Sequence, residues 1–284
     1  MKGLGSYYLL AACCAVGEAC AAVPGAYPEK TIRLIVPFTP GGGTDILARM
    51  VANELTKAHG WQFVFDNRPG AAGNLGLDLA AKAVPDGYTM VIGQTSNLAV
   101  NPNLYAKLPY DPFRNLLPVI TTTSQPNVLA VNAALPAATL KEFIAHAKAN
   151  SGKLSYASVG NGSSSHLSME LLFRTLNRID VTHVPFGPAQ AVNAVVGGQV
   201  PIGSTSMPPA VPLIKASRVR GIGVTTGKRI PAIPDIPTIG ETLPGYEAVL
   251  WYGAWGPKNL PKDIVARWNS EIARAMQTPE MKER

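Results

Sequence analysis

The sequence predicts an α/β protein of two similar lobes with a ligand cleft between them. Three observations carry this. Short β-branched apolar runs alternate with segments of helical periodicity, and glycine- or serine-rich loops join them. The alternation is interrupted at residues 116–132, an extended stretch of double length broken by Pro126, and then restarts. A length of 284 residues, 46% hydrophobic and 15% charged, allows one or two cores without disulfide staples and excludes a disordered chain.

Residues 1–21 read as a signal peptide lying outside the fold. Lys2 is followed by fifteen uncharged residues, 3–17, and Ala19-Cys20-Ala21 supplies the small-x-small pattern of a cleavage site, so that Ala22 begins the mature chain. Fifteen apolar residues are fewer than the ~20 a membrane-spanning helix needs. A competing signal is Leu10-Ala11-Ala12-Cys13, similar to a lipobox, which would leave a lipid anchor on Cys13. All three cysteines (Cys13, Cys14, Cys20) fall in this leader. The mature domain therefore has no thiol, which excludes a cysteine nucleophile, cysteine-ligated zinc, an iron–sulfur cluster and structural disulfides.

The first lobe is expected over 22–126. TIRLIVPF (31–38) predicts a buried strand, PGGG a tight turn, and residues 44–60 a helix in which Leu47, Val51, Leu55 and Ala58 share a face until Gly60 stops it. Thr44 or Asp45 is the expected cap, since either oxygen can take a free N–H of the first turn. QFVFD (62–66) predicts a second strand, 73–84 a short helix ended by Pro85-Asp86-Gly87, and YTMVIGQT (88–95) a third strand. Strands alternating with helices predict a parallel sheet.

The second lobe is expected over 127–250. Thr139 and Glu142 fit a capping box opening the helix LKEFIAHAKAN (140–150). KLSYASVG (153–160) predicts a strand, NGSSSH a loop and LSMELLFRTL (167–176) a helix. IDVTHVPF (179–186), then AQAVNAVVGG (189–198), repeat the pairing. PIGSTS (201–206) and VRGIGVTT (219–226) are further strands, and the proline-rich run 230–246 is expected to be irregular surface chain. Residues 251–284 return to the first lobe, closing with the helix DIVARWNSEIARAM (263–276).

The candidate chemistry lies in the loops. Gly41, Gly42, Thr44 and Asp45 form a glycine-rich turn feeding a helix N-terminus, where free N–H groups and the helix dipole suit a carboxylate or phosphate. The turn lacks the GxGxxG and Walker-lysine patterns of nucleotide sites. Ser158, Gly160, Gly162, Ser163, Ser164 and His166 repeat the arrangement in the second lobe, and Thr95, Ser96 and Asn97 offer a third polar loop. A structural turn or an ordinary serine cap explains any one of these loops; their pairing across two lobes is the stronger signal.

None of the four histidines (His59, His146, His166, His183) forms a metal-binding pair, so no metal and no cofactor is expected. His166 beside Ser163–Ser165 leaves a serine hydrolase as an alternative, although no GxSxG elbow exists. The net charge of +7 is scattered, without a basic run or interleaved aromatics, which argues against nucleic acid. Trp251, Tyr252 and Trp255 are expected to pack in the core, with the cleft as the other option.

Six stretches, RLIVPFTPGGGTD, NRPGAAGNLG, TSNLAVNPNLY, YASVGNGSSSHLSMELL, THVPFGPAQAVNAVVGGQV and PDIPTIGETLPGYEAVLWYGAWGP, together resemble the Bug family, the extracytoplasmic receptors of tripartite tricarboxylate transport systems. The resemblance runs from about residue 27 to the C-terminus. It implies a two-lobed, type II-like Venus-flytrap periplasmic-binding-protein fold closing on a small carboxylate. The Gly41–Asp45 turn and Thr95–Asn97 would hold the ligand from one lobe, and Ser158 with the 160–164 loop from the other. It also implies a monomer in the periplasm, with membrane permease subunits or a sensor kinase as partner. The chain departs from the family at Pro185-Phe186-Gly187-Pro188, where relatives often read P-Y-K-G, and at Pro201, where they often carry Asp; both leave ligand identity open. It also ends at Arg284, earlier than members usually do, which puts the last first-lobe element in doubt.

Overall fold

The run Ile32–Val36 forms a strand, β1, that is buried except at Arg33, and pairs with both β2 and β3 of the first lobe. The structure, a computed structural model, describes residues 27–283; the predicted leader, its cleavage after Ala21 and the Cys13 alternative lie outside the described residues. After β1 come α1 (Gly43–His59), β2 (Phe63–Asn67), α2 (Asn74–Ala81), β3 (Thr89–Gln94) and the single turn α3 (Asn101–Leu104). The long β4 (Leu116–Asn132) leads to α4 (Leu140–Ala149), β5 (Ser155–Ser158), α5 (Ser164–Glu170), β6 (Thr182–Pro185), α6 (Pro188–Val196), β7 (Ile202–Ser206), α7 (Met207–Lys215) and β8 (Val219–Val224). β9 (Val249–Pro257), α8 (Lys262–Ala275) and α9 (Pro279–Glu283) complete the order.

The sheet is mixed, not all parallel as the strand–helix alternation predicts. β1 pairs parallel with β2 and β3, but β9 joins β3 antiparallel, and β4 joins β9 antiparallel. In the second lobe β5 is parallel to β6 and β7, while β4 runs antiparallel to β7 and β8. The antiparallel pairings follow from topology: both β4 and β9 cross between lobes, so each must enter a sheet against the direction of the βα units already there. The exchange is abrupt. Pro126 pairs with Val249 of β9, and the next residue, Asn127, pairs with Ser206 of β7. Pro126 lacks an amide hydrogen to give to a ladder, and it sits where β4 changes partners.

Thr225 ties the crossing segments together. Its buried hydroxyl accepts the Asn127 N–H (2.9 Å) and donates to the Ala248 carbonyl (2.6 Å). Each lobe has its own apolar core, one centred on Leu34, Leu55, Met90 and Trp268, the other on Leu129, Phe143, Tyr156 and Phe173. Two cores joined by paired strands make a hinge-bending architecture.

Two further expectations are corrected, and one helix is added. The N-cap of α1 is Gly42, not Thr44 or Asp45; Asp45 lies in the first turn, and its carboxylate reaches back to the Gly41 N–H at 3.0 Å. The proline-rich run 230–246 is irregular but not all surface, because Ile233, Ile236, Ile239 and Tyr246 are buried in the second lobe. α7 was hidden in sequence by three prolines: Pro208 and Pro209 fall in its first turn, where no amide bond is lost, and only Pro212 lies inside.

Candidate functional site

The lobes meet over a narrow pocket, open to solvent, lined by Gly43, Thr44, Gln94, Leu250 and Tyr252 from one side and Asn127, Val159, Ser164, Pro188 and Ser206 from the other. The pocket is built from helix starts and strand ends. Gly43, Ser164 and Pro188 are the first residues of α1, α5 and α6, and Ser206 is the N-cap of α7. Four helices thus begin here; the first turns of α1 and α5 carry amide hydrogens without intrahelical partners, whereas Pro188 in α6 and Pro208 and Pro209 in α7 leave those two starts with fewer. Their dipoles add positive potential at the same point. None of the lining side chains is charged.

Neutral hydrogen-bonding groups line this space. Asn127 donates through Nδ2 to the Ser164 hydroxyl at 3.2 Å, joining the crossing strand to the second-lobe loop. Tyr252 is fully buried, with its hydroxyl against Ser206 and Gln125; burial raises its pKa, so it remains a neutral phenol. The sequence reading placed Tyr252 among core aromatics. It is that, and its hydroxyl also reaches the pocket. Gln94, Asn127, Ser206 and Tyr252 are pocket residues that the loop motifs do not contain.

Of the loop residues expected to bind ligand, Thr44 and Ser164 line this pocket, and Gly160 lines its outward continuation. Gly41 and Gly42 shape the turn above it. Gly41 adopts a left-handed φ of 79°, and Gly42 lies so close to Pro188 that a Cβ would sit 2.4 Å from the proline Cβ. Asp45 turns away from the pocket. Burial opposes its charge, but bonds from Arg49 (3.0 Å), the Gly41 N–H and Asn67 (3.0 Å) outweigh it and hold the carboxyl below its ordinary range. It braces the turn.

Thr95 and Asn97 also brace. Thr95 Oγ1 accepts the Trp251 N–H at 2.9 Å, Asn97 Oδ1 accepts the Gln94 N–H at 3.0 Å, and Ser96 is wholly interior. These bonds place Gln94. In the second lobe Ser163 caps α5 by accepting the His166 N–H, Ser165 Oγ accepts the Val159 N–H, and Gly162 donates to His166 Nδ1 at 3.1 Å. Ser163 and Ser165 are committed to backbone groups, Ser164 pairs with Asn127, and His166 Nδ1 is taken by the Gly162 N–H, so the hydrolase arrangement does not form.

Ser158 is fully interior, and His183, which no motif singled out, holds it: the ring Nε2 lies 2.6 Å from Ser158 Oγ. Donation from Nε2–H lets Ser158 accept from the imidazole and the Gly160 N–H while donating to the Gly160 carbonyl. His183 also stacks on His166, with ring centroids 3.9 Å apart. Glu170 lies 4.0 Å from His166 Nε2 and is shared with Tyr156 and Arg174. Burial, followed by the neighbouring His166, lowers the His183 pKa from 6.5 to about 4; burial also lowers that of His166, against the pull of Glu170.

This pair makes stability fall with acidification. The unfolded imidazole gains its proton near pH 6.5, whereas the folded His183 stays neutral until about pH 4, so its contribution is complete above pH 6.5 and is lost progressively between those values. The thermal midpoint of the native protein is expected to drop more between pH 7 and 4.5 than that of His183→Asn. Equal drops would show that the imidazole is not held neutral.

Among the described residues no cluster of three or more His, Cys, Asp or Glu could hold a metal, and no helix is long and apolar enough to cross a membrane. A family described as the tripartite tricarboxylate transporter family receptor matches residues 47–284. Protein BugT of Bordetella pertussis is 34% identical over 255 residues, covering 89% of this chain and 78% of that protein. Among solved structures, R. palustris Rpa4515 with adipate superposes with a TM-score of 0.87 at 36% identity, covering 90% of this chain and 86% of that one. MatC (Rpa3494) from Rhodopseudomonas palustris with bound malate gives 0.84 at 33% identity, over 90% and 87%.

Proposed function

Because the chain belongs to the tripartite tricarboxylate transporter receptor family, we propose that it captures a small carboxylate between its lobes in the periplasm and delivers it to membrane permease subunits. It has the two-lobed α/β fold of periplasmic binding proteins, and as a member of a receptor family it is a solute-binding protein, not an enzyme. Similar proteins have been solved with adipate and with malate, both carboxylates.

The observation that carries the ligand class is the convergence of four helix starts on a pocket with no charged side chain. Amide hydrogens, hydroxyls and dipoles can replace a carboxylate's hydration without a buried lysine or arginine, which would need its own desolvation. Release then requires only opening, since no ion pair has to be broken. Differential affinity for the closed state drives the hinge. The lobes are assigned to 22–126 and 127–250 with 251–284 returning to the first, the leader is cleaved near Ala21, and the receptor acts as a monomer.

Calorimetric titration of the mature protein against mono-, di- and tricarboxylates tests this. Binding of one carboxylate per chain is expected. Ser164→Ala should weaken it about tenfold, the value of one hydrogen bond to a charged group, ~1.5 kcal/mol or more. Failure of a folded protein to bind any carboxylate in the panel contradicts the proposal.

A further inference from the structure

The two strands that cross between the lobes part at one point, and Thr225 is the residue between them. In the first lobe β4 and β9 form an antiparallel ladder, with Gln125 opposite Leu250 and Pro126 opposite Val249. The next rung would set Asn127 against Ala248, the N–H of each donating to the carbonyl of the other. Neither bond is made directly. The Asn127 N–H donates to Thr225 Oγ1 (2.9 Å), which donates to the Ala248 carbonyl (2.6 Å). The Ala248 N–H donates to the Thr225 carbonyl (2.8 Å), and the Thr225 N–H donates to the Asn127 carbonyl (3.1 Å). Thr225 is thus inserted into the rung, its hydroxyl relaying one bond and its peptide groups the other.

The same residue ends the ladder between β4 and β8, whose register, Val128 with Val224, carries on to Asn127 with Thr225. In a regular ladder the Thr225 carbonyl would accept the Asn127 N–H. Here the hydroxyl accepts it instead, which releases the carbonyl for Ala248. A side chain of the same shape without a hydroxyl cannot make this exchange. Thr225 and Asn127 are both buried, so loss of the hydroxyl leaves the Asn127 N–H and the Ala248 carbonyl without partners.

Both crossings reach the site close to this junction. Asn127 lines the pocket and holds Ser164, and Leu250, two residues past Ala248, lines it from the other side. The spacing that Thr225 gives the crossing strands is therefore also the spacing of these pocket residues. We infer that Thr225 is the pivot of the hinge, a positioning residue whose hydroxyl joins the crossing strands so that they bend together and the lobes swing along one path. This role is independent of the identity of the ligand.

Double electron–electron resonance on the ligand-free mature protein tests it. The sequence beyond residue 21 has no cysteine, so Val84→Cys and Leu176→Cys, at exposed positions on opposite sides of the hinge, put one spin label on each lobe. Thr225→Val in this background is expected to broaden the interlobe distance distribution about twofold, because each strand then bends alone. Thr225→Ser keeps the hydroxyl and should show the native width. Lost packing alone would lower the thermal midpoint and leave the width unchanged. An unchanged width in a folded Thr225→Val, or equal broadening in Thr225→Ser, overturns the inference. Hydrogen exchange in the native protein decides without a variant, should Thr225→Val fail to fold. The Asn127 and Ala248 amides are expected to exchange within about tenfold of the β4 amides inside the second lobe, because the relay survives opening. Faster exchange than that shows that the relay breaks as the lobes part, and overturns the inference as well.

Discussion

Gly43→Ala is expected to weaken carboxylate binding by more than a hundredfold while leaving the protein folded. Gly43 is the first residue of α1, where alanine is conformationally better than glycine by up to ~1 kcal/mol. The penalty lies across the cleft. A Cβ at this position would sit 2.5 Å from Tyr252 Oη and 2.6 Å from Ser206 Oγ. The Tyr252 ring is fully buried and cannot retreat without displacing core, and Ser206 ends β7 in the opposite lobe. The added methyl therefore acts as a wedge. The lobes must separate by a few tenths of an ångström or more at the floor of the site, and amides spaced for one carboxylate no longer meet it together. Calorimetry and a thermal scan of the unliganded variant check both halves. Retention of native affinity would show that closure does not bring Gly43, Tyr252 and Ser206 together.

Trp268→Ala should produce the largest loss of stability with little change at the site. Trp268 on α8 has no exposed surface; its ring meets Trp61 edge-on at 5.3 Å and Phe63 at 6.1 Å, and its indole N–H donates to Tyr27 at 2.6 Å. Truncating a buried aromatic of this size costs about 3–5 kcal/mol. For a chain of this length that lowers the thermal midpoint by on the order of 10 °C. The side chain lines neither cleft space, so the affinity measured well below the transition should match the native protein. A change of less than about 1 kcal/mol would mean that α8 does not seal the first-lobe core.

The contrast between these substitutions shows what the sequence makes readable. Apolar runs such as 32–36 and 89–94 identify strands because both faces are buried, and the glycine and serine loops mark where helices begin. The cleft could be located from those loops. Which side chains line it could not, because the lining residues sit at strand ends whose facing depends on long-range pairing. Asn127 faces Ser164 only because β4 changes partner between Pro126 and Asn127, and Tyr252 reaches the floor only because β9 inserts antiparallel between β3 and β4. Asp45, Asn97 and Ser158 have the residue types of a ligand site, yet each is turned back by local hydrogen bonds, Asp45 to the Gly41 turn, Asn97 to Gln94 and Ser158 to Gly160. The buried isoleucines of 230–246 escaped notice for a related reason: without periodicity, proline-rich chain gives no sign of which side faces inward.

The central claim is that neutral groups from both lobes hold a carboxylate at the convergence of the helix starts. A crystal structure of the protein grown with a saturating carboxylate that binds by calorimetry tests it most directly. The expected result is a carboxylate group between α1 and α5, its oxygens within about 3 Å of amide and hydroxyl donors that include Thr44 and Ser164. A carboxylate held by a lysine or arginine side chain, or bound outside the interlobe cleft, would contradict it.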